Sequence, residues 1–298
     1  MTMLYIIGNG FDLWHGLKTS YAQFNDFAKE ELNKFSGFYS FDLNALNNDA
    51  LWNDFENTLG TFDWREFYAV NNNIDVDAES FRPSFVYGLE DDLTEQAEQH
   101  VASIRECFED WIESIDISIA KKKLYFSGSA QFITFNYTST LEYIYGINDQ
   151  KILHIHGRAK KFDELVFGHG ETIKEEPELD ENGDSNRTPF SNAEDAAKYP
   201  FYALQKPISS VLERHREFFD SLRDTQRIIV IGHSLNKIDL PYVKALVKTS
   251  SKAMWTVCLH DPKDESDHIQ ALVECGVSHE QIDICTYQDL ESKNYHND

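Results

Sequence analysis

Residues 3–13, MLYIIGNGFDL, decide the fold class. Met3 to Ile7 form a short apolar run that stops at Gly8-Asn9-Gly10. Behind that turn, Leu13, Leu17, Phe24 and Phe27 stand among polar residues in a helical pattern. Strand, glycine turn and helix in this order open a nucleotide-binding α/β unit.

The same alternation returns further along the chain. Gln131–Phe135, Lys151–Ile155, Leu165–Phe167, Arg227–Ile231, Met254–Leu259 and Ile282–Thr286 read as strands, and a helix is expected from about Leu240 to Val247. The expected fold is therefore α/β, a Rossmann-like parallel sheet with helices on both faces. Between residues 32 and 120 aromatic and acidic residues mix, and apolar positions from Leu93 to Ile119 recur at helical spacing. This stretch reads as a helical insertion or lid within a single domain spanning 1–298. Residues 171–186 hold seven acidic residues, one lysine and no aromatic, so they are expected to form a flexible acidic loop.

Composition narrows the function classes. With 27 basic and 51 acidic residues the net charge is −24. A field of that sign repels phosphate backbones and anionic lipid, which argues against general nucleic-acid or membrane binding. A small anionic ligand held by local backbone N–H groups remains compatible with it. No apolar run approaches the roughly 20 residues that span a bilayer. The N-terminus lacks a basic lead-in and a small-residue cleavage site, so it reads as a strand and not as a signal peptide. Cys107, Cys258, Cys275 and Cys285 have no paired spacing. Reduced thiols in the cytoplasm are the simplest expectation.

Four strand ends close in small or polar residues: GNGFD at 8–12, NYT at 136–138, HG at 156–157 and GHS at 232–234. Ligands of open parallel sheets bind outside the carboxyl ends of the strands, so these ends can share one crevice. Gly8, Asn9 and Gly10 could turn N–H groups towards a diphosphate, or make only a tight turn. Asp12 could contact a ribose or cap a helix. Asn136 suits a ribose hydroxyl or an oriented water, or a plain turn. His156 beside Gly157 could take a proton near neutral pH, or be a structural histidine. His154 shares its strand face, but no third residue at recognisable spacing supports a metal pair. Gly232, His233 and Ser234 could hold a nucleotide or simply turn the chain. Glu56 and Glu142 read as crevice carboxylates or as ion-paired and surface residues, and His169 follows Gly168 without an assigned role.

The segments IIGNGFDLWHGLKTSYAQF, LWNDFE, ITFNYTSTLE, ILHIHG, FGHG and VIGHSLNKIDLPYV together resemble the AbiH family of bacterial abortive-infection proteins, over Ile6 to about Val243. More remotely, the order of Gly8 and Gly10, Asn136, His156-Gly157 and Gly232-His233-Ser234 is similar to the sirtuin-like NAD-binding fold. That resemblance implies NAD bound across the sheet edge, with Asn136 and His156 beside the nicotinamide ribose. The four-cysteine zinc module of deacetylating sirtuins has no counterpart here, so deacetylation is not expected.

The resulting expectation is an anti-phage NAD glycohydrolase with Asn136 and His156 as catalytic residues. Gly8, Asn9, Gly10, Asp12, Gly157, Gly232, His233 and Ser234 would bind the nucleotide. NAD is expected as substrate, and no metal is expected. A nucleotide-binding sensor that regulates a partner and a metal-dependent nuclease are the alternatives. The expected partner is a small-molecule nucleotide, with a phage-derived trigger and a second copy of the chain as further candidates.

Overall fold

Apolar runs in this chain become the strands of one sheet. In the computed structural model, which describes residues 2–40, 52–161, 163–175 and 177–292, β1 is Met3–Ile7, β2 Gln131–Thr134 and β3 Ile152–His154. β4 is Arg227–Ile231, β5 Met254–Leu259 and β6 Ile282–Thr286. Every neighbouring pair is parallel and the order is β3-β2-β1-β4-β5-β6. The chain builds outward from β1 to β3, then returns and lays β4 against the other side of β1. Strand order reverses between β1 and β4, and such a reversal is where open α/β sheets leave a crevice.

Both faces of the sheet are covered, which is why the central strands are almost continuously apolar, MLYII in β1 and RIIVI in β4. Leu4, Ile6, Ile228, Val230, Trp255 and Val257 pack with Tyr242, Val243 and Leu246 of the helix Leu240–Thr249 and Leu272 of the helix Glu265–Glu274. The alternate residues Tyr5, Ile7, Phe132, Ile229 and Ile231 pack with Phe11, Leu141, Tyr287 and Leu290. Full burial of each such side chain stabilises by roughly 1.5–3 kcal/mol. The expected α/β class with helices on both faces is what the structure has.

One local expectation differs. Leu165–Phe167 is not a strand. Its side chains are buried, but the Val166 N–H donates to the His156 carbonyl at 2.8 Å outside any ladder. Apolar burial produced the strand pattern without strand pairing. Cys258 and Cys285, distant in sequence, face each other across β5 and β6 with sulfurs 3.0 Å apart and no disulfide between them.

The chain divides into two compact units. The sheet unit takes Met1–Gln23, Trp111–Val166 and Pro207–Asp298, and the helical unit takes Phe24–Asp110 and Phe167–Lys206. The helical unit thus starts before residue 32, ends before 120, and gains 167–206. The helix expected from Leu93 onward runs over Ser84–Ser114. Residues 171–186 carry no helix or strand among those described, beyond an isolated antiparallel bridge between Leu179 and Ser185.

The helical unit has its own aromatic core. Phe108 lies 4.4 Å from Phe167, and Phe24 lies 4.9 Å from Phe55, measured between ring centroids. Asp63 caps the helix Trp64–Asn71 by accepting the Arg65 and Glu66 N–H groups. His100 is buried against Tyr39 at 2.7 Å, and burial pushes its pKa down to about 4.

Candidate active site

The β1 and β4 turns meet at the reversal of strand order. The Gly8 N–H donates to the Ile231 carbonyl at 3.0 Å, and the Gly10 N–H to the Gly232 carbonyl at 2.8 Å. A Cβ on Gly8 would stand 2.5 Å from the His233 Cα, and one on Gly10 2.8 Å from the Gly232 Cα. Gly232 has φ +69, and a Cβ there would stand 2.2 Å from the Phe11 nitrogen. These glycines therefore let two backbones touch. The amides of Gly8 and Gly10 are spent on that contact, so a diphosphate cradle made of them is not what the geometry offers. Asn9 is held back by its side chain, whose Nδ2 donates to the Thr19 carbonyl at 2.8 Å.

Asp12 follows on the short helix Asn9–Trp14 and is 1% exposed. Its Oδ2 accepts the Thr138 hydroxyl at 2.6 Å, and Thr138 in turn lies 2.9 Å from the Thr140 hydroxyl. Its Oδ1 has no hydrogen-bond partner among the described residues. Burial pushes the carboxyl up to about 6, against the pull of Thr138, Thr140, the neighbouring Asn136 amide and His154. Asn136, 6% exposed, leans on this carboxyl without closing a geometrically sound hydrogen bond, and both its amide atoms lack partners among the described residues. Its backbone is fixed: the N–H donates to the Thr134 hydroxyl at 3.1 Å.

His154 does not pair with His156. Its Nδ1 faces the Asn136 carbonyl at 3.3 Å and its Nε2 meets Glu142 at 2.8 Å. Burial pushes the Glu142 carboxyl up, but contacts from His154 and Arg158 outweigh this and hold it below its usual range. Glu142 also accepts from Arg158 at 2.8 Å. It is thus an ion-paired brace that fixes His154, and His154 supports the Asn136 backbone.

Beside Phe135, two histidines flank one carboxylate. His156 Nε2 lies 3.8 Å from Asp239 Oδ1, and His233 Nε2 lies 3.6 Å from Asp239 Oδ2. These are ion-pair distances, longer than hydrogen bonds. The His233 Nδ1 accepts the Leu235 N–H at 2.9 Å, which places the proton of the neutral ring on Nε2, towards Asp239. Leu235 presents that N–H from a left-handed conformation, φ 51. The Phe135 ring packs on His233 at 4.1 Å and on His156 at 5.1 Å, and Tyr242 closes on His156 at 5.6 Å. Asp239 can orient an imidazole and stabilise positive charge that forms on it.

The strand ends therefore bring Asp12 and Asn136 together, and separately His156 and His233. Ser234 is exposed and stands outside both groups. Gly157 has φ +81, and a Cβ there would meet the Glu164 carbonyl at 2.4 Å, so it serves a tight turn. Glu56 and His169 belong to the helical unit. Glu56 is buried against Lys206 at 2.7 Å. The His169 Nε2 lies 2.8 Å from the Phe201 carbonyl and its Nδ1 accepts the Glu171 N–H at 3.1 Å, a structural pattern. Asp239 and Thr138 are the residues that sequence reasoning missed. Asp239 precedes Leu240-Pro241, the ordinary signature of a helix start, and that signal masks any other role.

Polar strand ends beside a reversal of strand order define a doubly wound parallel α/β protein. The chain belongs to the AbiH family: the family described as "Bacteriophage abortive infection AbiH" matches residues 4–259, which include every strand-end residue above. Membership ties the protein to bacteriophage abortive infection. No curated protein and no solved structure matches the chain. Among the described residues, no helix is long and apolar enough to cross a membrane, and no three His, Cys, Asp or Glu side chains are placed to hold a metal ion.

Proposed function

We propose that this protein acts in abortive infection as an NAD glycohydrolase, splitting NAD into nicotinamide and ADP-ribose. The observation that carries the reading is that two buried polar groups, Asp12 with Asn136 and His156 with Asp239 and His233, stand beyond the carboxyl ends of neighbouring strands of one parallel sheet. Cleavage of the nicotinamide–ribose bond builds positive charge on the sugar, and nicotinamide leaves without needing a proton. The protein must then orient the ribose, position a water and take its proton. Asn136 orients the sugar. His156 accepts the proton of the water, and Asp239 stabilises the imidazolium that results. Asp12, ionised above about pH 6, adds a negative charge near the developing cation. Loss of NAD would stop phage growth together with the host.

The test is incubation of purified protein with NAD, alone and with lysate of phage-infected cells, and quantification of nicotinamide and ADP-ribose. Equimolar accumulation of both is expected. NAD left intact under both conditions overturns the reading. The deep burial of His156 and Asp239, 3% and 5% exposed, favours a second reading in which NAD binds as a signal without turnover. Binding by calorimetry with no product would select it.

A further inference from the structure

Two thiols that the proposed reaction does not use stand opposite each other near the edge of the sheet. Cys258 on β5 and Cys285 on β6 are direct partners in the parallel register, and both belong to the core on the Tyr5, Ile7 and Tyr287 side. Neighbouring strands run about 4.8 Å apart, inside the ~4.4–6.8 Å window of Cα separations that a disulfide spans. The sulfurs are 3.0 Å apart, so one S–H points at the other sulfur. Closing to the ~2.05 Å of an S–S bond asks each sulfur to move by about half an ångström. The remaining cysteines are placed differently. Cys275 Sγ lies 3.8 Å from the Leu240 carbonyl, and Cys107 belongs to the helical unit. β6 is an edge strand with β5 as its one neighbour, and Cys285 is its one buried residue.

We infer that Cys258 and Cys285 are an oxidation site for hydrogen peroxide, closing into a disulfide that staples the edge strand β6 to β5. The step balances within the pair. One sulfur, as thiolate, attacks a peroxide oxygen and the O–O bond breaks. The leaving hydroxide takes up the proton that the thiol released and departs as water, and the sulfur is left as a sulfenic acid. The second sulfur then attacks the sulfenic sulfur. The S–S bond forms, the S–OH bond breaks, and a second water carries off the remaining thiol proton. The two thiols lose two electrons and the peroxide gains them. The hydrogen bond with Cys285 and burial push the Cys258 thiol well above its ordinary range, so the closed sheet protects the pair. Reaction follows local opening of β6, whose other residues are half-buried or exposed. The disulfide closes a loop that contains the helix Glu265–Glu274, and such a closure stabilises by restricting the unfolded chain. It also anchors Tyr287, which stacks on Trp14 at 4.6 Å and whose hydroxyl stands 3.1 Å from where a Cβ on Gly10 would be. The staple thus holds the cover of the β1 turn, and it stands independently of the NAD reading.

The full chain, reduced and then freed of reductant, is treated while folded with hydrogen peroxide, alkylated in urea and mapped by mass spectrometry without reduction. A peptide linking Cys258 to Cys285 within one chain is expected, with Cys107 and Cys275 alkylated. Hydrogen exchange of the β6 amides should slow by about tenfold or more, and Tm should rise by several degrees. Dithiothreitol should reverse both changes. Cys285→Ala, checked for folding by circular dichroism, should form no link and show neither change. The wild-type map decides by itself if that variant does not fold. Four alkylated thiols in the folded protein, at a peroxide dose that oxidises the urea-unfolded chain, overturn the inference. Sulfinic acid in place of the link, or a link to Cys107, to Cys275 or to a second chain, does so too. A Cys258–Cys285 link that leaves β6 exchange and Tm unchanged overturns the staple. None of these outcomes bears on whether NAD is hydrolysed.

Discussion

Asp12 is held as a carboxyl at about 6, against 3.8 for an ordinary aspartate, mainly because burial penalises its charge. The folded protein therefore binds this proton more tightly than the unfolded chain. The associated stability is fully present below the unfolded value near 3.8 and is lost as pH rises through 6. Asp12→Asn never ionises and keeps an oxygen for Thr138. It is expected to be more stable than the wild type at pH 8 by up to about 3 kcal/mol, from ~1.4 kcal/mol per pKa unit, with the gap closing below pH 4. Urea unfolding at both pH values checks this, and equal stability at pH 8 would remove the case for a charged buried carboxylate. A residue that weakens the fold at working pH is the kind retained at functional sites. At the same scale, His156→Ala should lower NAD hydrolysis by about 10²–10⁴-fold if the imidazole takes the proton of the water. Asn136→Ala should lower kcat more than it raises KM, because an oriented sugar matters most in the transition state. Steady-state kinetics of both variants separate these effects, and a KM change alone would assign Asn136 to binding.

At the scale of elements, the turns after β1 and β4 are one structure made from two distant segments. The sequence marks GNG and GHS as special turns, but it does not reveal that they need small residues because they touch each other. That contact exists only once β1 and β4 pair, and no local spacing records it. Gly232→Ala would add a Cβ against the Phe11 nitrogen and impose a left-handed φ on alanine. It is expected to destabilise by about 2–4 kcal/mol, seen as a lowered Tm. A wild-type Tm would mean that the turns can separate freely. Any loss of NAD binding in glycine variants has to be read beside their stability. In the helical unit, Glu56 on the helix Trp52–Leu59 and Lys206 are 2% and 1% exposed at the side chain and 2.7 Å apart. Glu56 stands out in the sequence because it shares an otherwise apolar helix face, and the ion pair proves to be its role. Its partner, 150 positions away in the numbering, is not legible there. Glu56→Gln leaves a buried ammonium unbalanced and should cost about 3–5 kcal/mol in urea unfolding, whereas Glu56→Leu with Lys206→Met should recover most of it. A double variant as unstable as the single one would show that packing, not charge, dominates this site.

At the scale of the whole molecule, apolar runs and turn residues suffice for the class of fold, because both-sided burial writes itself into the strands. The division into units is less legible. Residues 167–206 join residues 24–110 in the helical unit although a stretch of the sheet unit lies between them in sequence. The pairing of His156 and His233 through Asp239 is hidden for the same reason. Each member sits at the end of a different segment, and Asp239 carries the local signal of a helix start. These buried strand-end groups lie within the sheet unit, while family membership speaks of an effect on infected cells. The link between the two can be tested in cells by expressing wild type, Asn136→Ala, His156→Ala and Glu142→Gln and measuring phage plating. Asn136 and His156 lie at strand ends outside the ladder, so their alanine variants should remain folded, as soluble expression and circular dichroism would check. Both are expected to lose protection, with NAD retained during infection. Glu142→Gln keeps a hydrogen-bond acceptor for His154 while removing the charge from the brace, so it should lose protection only in part. Full protection by both alanine variants would reject NAD hydrolysis as the mechanism, even if NAD still binds. Protection lost while NAD stays constant in infected wild-type cells would assign the same residues to sensing, because they would then matter without the chemistry.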